Sequence, residues 1–207
     1  MKNIDDLIEN AAQLTENGLS KGEIADELNV SRRTASWLVS RSATDEQPTP
    51  ESTGADDVHV DWSTIGQHNT RLSQVSAAMA NVLATEAADA TVTVGIEKAG
   101  VPLGTAVAQQ LETSLAAYAP AKHQWDDDEA ETSGSFSRNF TAVEGERCFV
   151  VDDTITSGTT MRETIEAVRE AGGTPVAGVV LVDKEGVGEI ADVPIHSLVE
   201  VIPVADR

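Results

Sequence analysis

The sequence predicts an α/β protein in which a doubly wound parallel sheet follows a small all-α module. From residue 72 onward, short apolar runs alternate with amphipathic helical patterns, as in a parallel sheet with helices on both faces. The stretch 43–60 is rich in Pro, Ser, Thr and acidic residues, a composition typical of linkers. We therefore predict an all-α domain over residues 1–42, a linker over 43–60 and an α/β domain over 61–207.

The individual elements of the larger domain follow from the length and composition of its apolar runs. Four runs suit strands that are buried on both faces, and they cover residues 91–95, 114–119, 148–152 and 176–182. Between them, helical periodicity predicts helices over residues 72–84, 102–110 and 159–171. Gly172 and Gly173 end the last of these helices.

The chain is strongly acidic, with 35 Asp and Glu against 14 Lys and Arg and a net charge of -21. With few aromatic residues and less lysine than arginine, it resembles the cytosolic proteins of salt-accumulating archaea, where molar salt screens charges within about 3 Å. The alternative is an ordinary acidic protein. Residues 1–42 hold five basic and seven acidic residues, whereas the remainder holds nine and 28. The small module thus carries little of the net negative charge, which favours an anionic partner for it.

The single cysteine, Cys148, lies in an apolar run, so no intrachain disulfide can form and we expect a buried thiol. No apolar stretch has the length of a membrane span or of a signal peptide, which predicts a soluble, cytoplasmic protein with no membrane partner. His59, His68 and His196 are scattered along the chain and indicate no metal site.

The N-terminal module has the pattern of a helix-turn-helix. After an amphipathic helix over residues 4–16, Ser20 and Glu23 form a capping box for a short helix. Asn29 and Val30 make a turn, and Ser31 caps a third helix, which would enter the DNA major groove. The predicted DNA-binding residues stand at the start of this helix and are Ser31, Arg32, Arg33 and Ser36. The alternative is a three-helix bundle that serves dimerisation.

The most specific feature is VVDDTITSGTT, residues 150–160. An apolar strand runs into two carboxylates and then into a turn, rich in hydroxyls and containing one glycine, that opens a helix. The backbone N–H groups of such a turn bind a phosphate without lysine, and carboxylates accept hydrogen bonds from a sugar diol. The predicted ligand residues are Asp152 and Asp153 for the diol and Thr156, Ser157, Gly158, Thr159 and Thr160 for the phosphate. The alternative is a cluster that only caps the helix.

This motif closely resembles the phosphoribosyl-pyrophosphate motif of type I phosphoribosyltransferases. Residues 94–104, VGIEKAGVPLG, resemble the pyrophosphate loop of the orotate-specific members. The resemblance implies the type I phosphoribosyltransferase fold, with ribose at Asp152 and Asp153 and its 5′-phosphate at residues 156–160. It also implies a pyrophosphate loop formed by Glu97, Lys98, Ala99 and Gly100. It makes no cofactor certain, although magnesium would accompany a phosphoribosyl pyrophosphate-like ligand.

Two departures from these enzymes lead us to assign no catalytic residue. The stretch that corresponds to their mobile catalytic loop, residues 120–140, keeps Lys122 and His123 but continues with four carboxylates at residues 126–129. These carboxylates oppose the negative charge that develops on departing pyrophosphate. Where the orotate enzymes have a substrate-binding arginine, this chain has Asp183-Lys184-Glu185-Gly186, and a lysine lacks the planar fork of arginine.

Domain order and these departures together resemble the haloarchaeal GfcR family, orotate phosphoribosyltransferase-like regulators of sugar catabolism. The resemblance implies a homodimer that binds double-stranded DNA, senses a small phosphorylated metabolite such as phosphoribosyl pyrophosphate, and regulates glycolytic genes. The alternative from another class is an active orotate-type phosphoribosyltransferase with an N-terminal appendage. A scaffolding protein would explain neither ligand loop.

Overall fold

The structure is a computed structural model that describes residues 4–42, 58–121 and 134–202. The chain divides into two compact units, Met1–Trp62 and Ser63–Arg207, which we call the helical unit and the α/β unit. Residues 43–57 of the predicted linker lie outside the described residues. The last three predicted linker residues, 58–60, belong to the helical unit, so the boundary falls after Trp62 rather than after residue 60.

The helical unit contains three helices, α1 (Ile4–Glu16), α2 (Lys21–Glu27) and α3 (Arg32–Ser42). They enclose a small apolar core made of Ala11, Ile24, Ala25, Leu28, Val30, Ala35 and Leu38. The predicted capping box is present at the start of α2. The Glu23 N–H donates to Ser20 Oγ (3.3 Å), and the Ser20 N–H donates to Glu23 Oε2 (2.9 Å).

The turn between α2 and α3 is held by residues 58–62, which we call the strap. At this turn Asn29 has a φ of 49°, in the left-handed region that asparagine adopts more readily than most residues. The Asn29 Nδ2 donates to the Val60 carbonyl oxygen (3.0 Å), and the His59 Nδ1 donates to the Leu28 carbonyl oxygen. The strap therefore returns the chain to the helix-turn-helix before the α/β unit begins.

The α/β unit is built on one mixed sheet of seven strands. Two helices precede the sheet, α4 (Ser63–Gly66) and α5 (Asn69–Ala84). The strands are β1 (Val92–Ile96), β2 (Ser114–Ala119), β3 (Ser135–Phe136), β4 (Arg147–Ile155), β5 (Thr174–Asp183), β6 (Glu189–Ile190) and β7 (Val193–Glu200). The remaining helices are α6 (Gly100–Leu111) and α7 (Thr159–Glu170). The strands lie in the order β3-β2-β1-β4-β5-β7-β6. The five long strands are parallel, and the short β3 and β6 are antiparallel edges.

Helices cover both faces of this sheet, which confirms the predicted fold class. Phe149 and Val151 of β4 pack with α5 and α6 on one face, while Cys148 and Val150 pack with α7 on the other. The sequence patterns predict four of the five parallel strands. They miss β7, where Pro194, His196 and Ser197 interrupt the apolar pattern. Among the residues that the structure describes, no helix is long and apolar enough to cross a membrane.

We predict that Cys148 does not react with a thiol reagent while the protein is folded in molar KCl. Its side chain is fully buried, and burial together with the nearby Glu146 carboxylate raises the pKa of its thiol to about 11. Since the thiolate is the reactive form, labelling at about pH 8 should be suppressed on both counts. Dilution into low salt should release the thiol, because the acidic surface is then unscreened and the fold is lost. Rapid labelling in molar KCl with an unchanged circular dichroism spectrum would contradict this prediction.

Candidate functional site

The predicted ligand loops lie at the carboxyl edge of the sheet, where two adjacent strands send their connections to opposite faces. β1 is followed by α6 on one face, and its neighbour β4 is followed by α7 on the other. In doubly wound sheets, ligands bind in the crevice that opens at such a topological switch point. Residues 97–100 follow β1 and residues 156–160 follow β4. The fold therefore brings both predicted loops to the same edge of the sheet, after two neighbouring strands.

The two loops are joined at their bases by a close backbone contact. Gly100, the first residue of α6, lies so near β4 that a Cβ there would be 2.5 Å from the Val151 carbonyl oxygen. The same Cβ would be 3.0 Å from both the Cα and the Oδ1 of Asp152. No side chain fits at residue 100. The structure thus places the predicted pyrophosphate loop against one of the predicted diol-binding carboxylates.

The two carboxylates belong to the end of β4, which continues to Ile155, three residues beyond its predicted end. Asp152 and Asp153 are both partly exposed. Asp152 Oδ1 accepts a hydrogen bond from the Asp153 N–H (2.9 Å), and Asp153 Oδ2 accepts one from Thr154 Oγ1 (3.5 Å). The side chain of Asp152 is thereby turned along the strand toward its neighbour.

The loop after β4 has the geometry of an anion site. Gly158 has a φ of 72°, and a Cβ on it would lie 2.7 Å from Ile190 Cδ1, so both the backbone and the available space require glycine. Gly158 is the N-cap of α7, and no side chain caps this helix. The exposed side chains of Ser157 and Thr159 lie together, with 3.0 Å between their hydroxyl oxygens. Helix amides and hydroxyl donors are therefore presented together, as phosphate binding requires.

The loop after β1 continues the ladder of that strand and then turns into α6. The Glu97 N–H donates to the Tyr118 carbonyl oxygen (2.8 Å), and the Glu97–Lys98 peptide bond is cis. Lys98 is exposed, and Ala99 precedes the first residue of α6. Lys98 is the one basic residue in the two loops 97–100 and 156–160.

A buried turn lies beside the predicted phosphate loop, and its residues were not predicted as site residues. The Asp183 side chain is buried at the end of β5 and accepts hydrogen bonds from the N–H groups of Glu185, Gly186 and Val187. The Lys184 N–H donates to the Ile155 carbonyl oxygen (3.0 Å), which ties this turn to the end of β4. An aspartate three residues before a glycine is a local signal for such a turn. In the sequence these residues stand out only because they lack the arginine of the orotate enzymes.

Glu163, on α7, is a second residue that sequence reasoning missed. Its Oε1 accepts hydrogen bonds from the Tyr118 hydroxyl (3.0 Å) and from the Ala121 N–H (2.8 Å). Burial, and then the nearby Glu163 carboxylate, raise the pKa of Tyr118 well above its ordinary value, so the phenol remains a donor. Glu163 therefore ties α7 to the end of β2. Lys122, His123 and the acidic residues 126–129 follow directly in sequence and lie outside the described residues.

In the helical unit, the predicted DNA-binding residues lie on the first turns of α3. Arg32 and Arg33 are exposed, and Ser36 is partly exposed one turn later. Ser31 Oγ accepts a hydrogen bond from the Thr34 N–H (3.1 Å) and lies 2.9 Å from Thr34 Oγ1. The hydroxyl of Ser31 therefore caps the helix, and the two arginines are the cationic groups at its exposed start.

Comparisons with known proteins agree with this architecture. The profile of the phosphoribosyl transferase domain matches residues 61–193. The solved structure of orotate phosphoribosyltransferase from Aeropyrum pernix is similar with a TM-score of 0.59 and 23% identity, over 80% of this chain and 92% of that one. The fold and the two loops thus define a phosphoribosyltransferase-type domain that follows a helix-turn-helix.

Relatives that match over nearly the whole chain identify the family more closely. The chain is 60% identical to the transcriptional regulator GfcR of Haloferax volcanii over 100% of both chains. It is 61% identical to the transcriptional regulator GfcR of Haloarcula marismortui, over 99% of this chain and 97% of the other. The chain belongs to the GfcR family of transcriptional regulators, as the resemblance of its motifs implied.

The contact at Gly100 generates a stability prediction. Gly100→Ala should lower the free energy of unfolding by about 1–3 kcal/mol, since the added methyl overlaps backbone atoms of β4. Gly188→Ala is the matched control, because nothing lies within 4 Å of a Cβ at that position. It should change stability by no more than about 0.5 kcal/mol. Thermal unfolding in molar KCl measures both variants, and equal stabilities would show that the contact is not tight.

Proposed function

We propose that this GfcR family member binds double-stranded DNA as a homodimer and that a phosphorylated sugar metabolite, bound by the α/β unit, changes its DNA affinity. The contact between Gly100 and Asp152 carries the ligand part, because it sets the predicted pyrophosphate loop against a predicted diol-binding carboxylate. A dimer presents two recognition helices to two half-sites, which suits a palindromic operator. The family resemblance supports genes of sugar catabolism as the targets.

The chemistry of the crevice specifies a class of ligand. Residues 156–160 contain no lysine or arginine, so a phosphate there is bound by helix amides and hydroxyls, which suits a terminal phosphomonoester. Asp152 and Asp153 stand next to that loop and accept hydrogen bonds from sugar hydroxyls. Lys98 offers a cation to a further phosphate on the other side of the contact. A sugar phosphate with a free diol fits this set, with phosphoribosyl pyrophosphate as the fullest match.

Magnesium fits this site only together with such a ligand. Carboxylate oxygens suit Mg²⁺, and Asp152 and Asp153 are the carboxylates at the end of β4. In the described ranges, no group of three or more His, Cys, Asp or Glu could hold a metal ion. Phosphate oxygens of the ligand would have to complete the coordination. We therefore propose magnesium as a companion of a pyrophosphate ligand rather than as a resident ion.

We also propose that the chain does not catalyse phosphoribosyl transfer. In the orotate enzymes that the sequence resembles, an arginine holds the base carboxylate, whereas here the corresponding residues form the turn capped by Asp183. The acidic residues 126–129 oppose a departing pyrophosphate. The competing function is an active orotate-type transferase. The presence of both ligand loops at the same edge of the sheet favours it, so activity must be measured.

The ligand proposal predicts that Asp153→Asn and Thr159→Val weaken binding of phosphoribosyl pyrophosphate and of ribose 5-phosphate. Each change removes part of one hydrogen-bonding group, at a cost of about 1–3 kcal/mol, or roughly 5- to 150-fold in the dissociation constant. Isothermal titration calorimetry in molar KCl measures the loss, with and without MgCl₂. Asp89→Asn and Thr85→Val make the same chemical changes at exposed positions outside both loops, and they should bind these ligands as the wild type does.

The same variants test whether the ligand acts on DNA binding. Without ligand they should bind a DNA duplex, selected by the wild type from a randomised pool, with unchanged affinity. They should lose the change that the ligand produces in the wild type, since a ligand shifts an equilibrium only by its differential affinity for the two states. If no sugar phosphate binds, or if binding leaves DNA affinity unchanged, the sensor function fails and the α/β unit serves only dimerisation.

We expect no phosphoribosyl transfer from phosphoribosyl pyrophosphate and Mg²⁺ to orotate, uracil, adenine, guanine or hypoxanthine. Release of pyrophosphate by the purified protein in molar KCl is the measurement, with an active orotate phosphoribosyltransferase as the positive control. Turnover of about 1 per second or faster would be ordinary enzymatic activity and would make the protein bifunctional.

A further inference from the structure

The two adjacent arginines at the start of α3 occupy different sides of that helix. An α-helix turns by about 100° per residue. Ala35 is fully buried and marks the inner side of α3. Leu38 is buried on the same side. Relative to the line midway between Ala35 and Leu38, Arg33 lies about 170° around the helix and Arg32 only about 90°. Arg33 therefore points away from the core of the helical unit, whereas Arg32 lies on the flank of the helix.

The side chain of Arg32 is directed along α2. A Cβ placed on Gly22, in the first turn of α2, would lie 3.2 Å from Arg32 Nη2 and 3.5 Å from Arg32 Nε. The guanidinium thus lies over the backbone of α2, in space that the missing side chain of Gly22 leaves open. The charge of Arg32 therefore lies beside α2 rather than at the outermost line of α3.

On the opposite flank, a second pair of side chains limits the exposed surface of α3. Trp37 packs against the core of the helical unit, and the Arg41 guanidinium lies 5.5 Å from the centre of its ring. Between the two flanks run Arg33, Ser36 and Ser40, three and seven residues apart along one side of the helix. Arg33 and Ser40 are exposed and Ser36 is partly exposed.

This arrangement matches the two kinds of contact that a recognition helix makes. The outermost line of a helix in the major groove meets base edges, while groups at its flanks meet the phosphates that border the groove. An arginine on the outermost line can bind O6 and N7 of a guanine through both ends of its fork. An arginine held at the flank adds affinity for any sequence, because phosphates carry no sequence information.

We propose that Arg33 determines sequence specificity by binding a guanine and that Arg32 is a positioning residue that binds a backbone phosphate. This inference rests on the proposed DNA binding and adds a division of roles between the two residues. Ser36 and Ser40 continue the base-facing line, and the Ser31 hydroxyl caps the helix.

The DNA probe is obtained by binding-site selection from a pool of randomised duplexes. Each duplex is long enough for two half-sites about 10 base pairs apart. The wild type selects in molar KCl, and single variants are then titrated with the enriched duplex and with a scrambled duplex of equal composition. Arg33→Ala should lose roughly 5- to 150-fold in affinity for the enriched duplex and keep its affinity for the scrambled one. Arg32→Ala should weaken both duplexes by the same factor and reduce the slope of log K against log salt by about 0.9 per subunit.

Lysine variants distinguish the effect of the positive charge from the effect of the planar, forked guanidinium group. Arg32→Lys should behave as the wild type, because a point charge suffices for a phosphate, whereas Arg33→Lys should lose specificity. Arg147→Ala, an equal loss of charge in the α/β unit, is the control and should leave both duplexes unaffected. Circular dichroism verifies that each variant is folded.

Failure of the proposed DNA binding and failure of the division of roles give different results. Enrichment of no sequence by the wild type would overturn the proposed DNA-binding function before any variant is made. If the wild type does enrich a sequence, two results would overturn the division of roles alone. One is that Arg32→Ala and Arg33→Ala have equal effects, and the other is that Arg33→Lys keeps full specificity.

Discussion

At the carboxyl edge of the sheet, the backbone of α6 touches the backbone of β4 at Gly100, and the proposed ligand site depends on this contact. β1 and β4 are adjacent and parallel, but their helices leave to opposite faces. The contact keeps the start of α6 against Asp152 despite this divergence. The loop before α6 therefore lies against the end of β4, the strand that leads into α7, and the turn fixed by Asp183 is tied to the same strand end through the amide of Lys184.

The backbone geometry of the predicted phosphate loop could be predicted because its determinants are local. A strand end, a glycine with positive φ and a helix start all lie within residues 150–160, so a short motif specifies them. The approach of Gly100 to Asp152 could not be predicted from residue patterns, since it depends on which strands become neighbours. Glu163 could not be identified either. It differs from the exposed Glu166 of the same helix only in what the fold brings next to it.

The same reasoning explains which elements of the fold the sequence predicts. β1, β2, β4 and β5 are largely buried and appear as continuous apolar runs. β7 has several partly exposed residues, and β3 and β6 are two residues long, so none of them produces such a run. Helix α5 begins at Asn69, before the predicted residue 72, because its polar first turn adds nothing to the apolar periodicity.

Because the strap belongs to the helical unit, the acidic stretch of residues 43–57 is not the segment that connects the two units. The described residues on both sides of it, Ser42 at the end of α3 and Val58 at the start of the strap, belong to the helical unit, and α4 begins immediately after Trp62. In sequence it therefore connects two parts of one unit, and loop closure costs little more when a loop grows. Evolution can lengthen or shorten it, and a label or tag can be inserted there, without altering the junction. A single residue inserted between Trp62 and Ser63, in contrast, would change the only covalent connection that joins the two units.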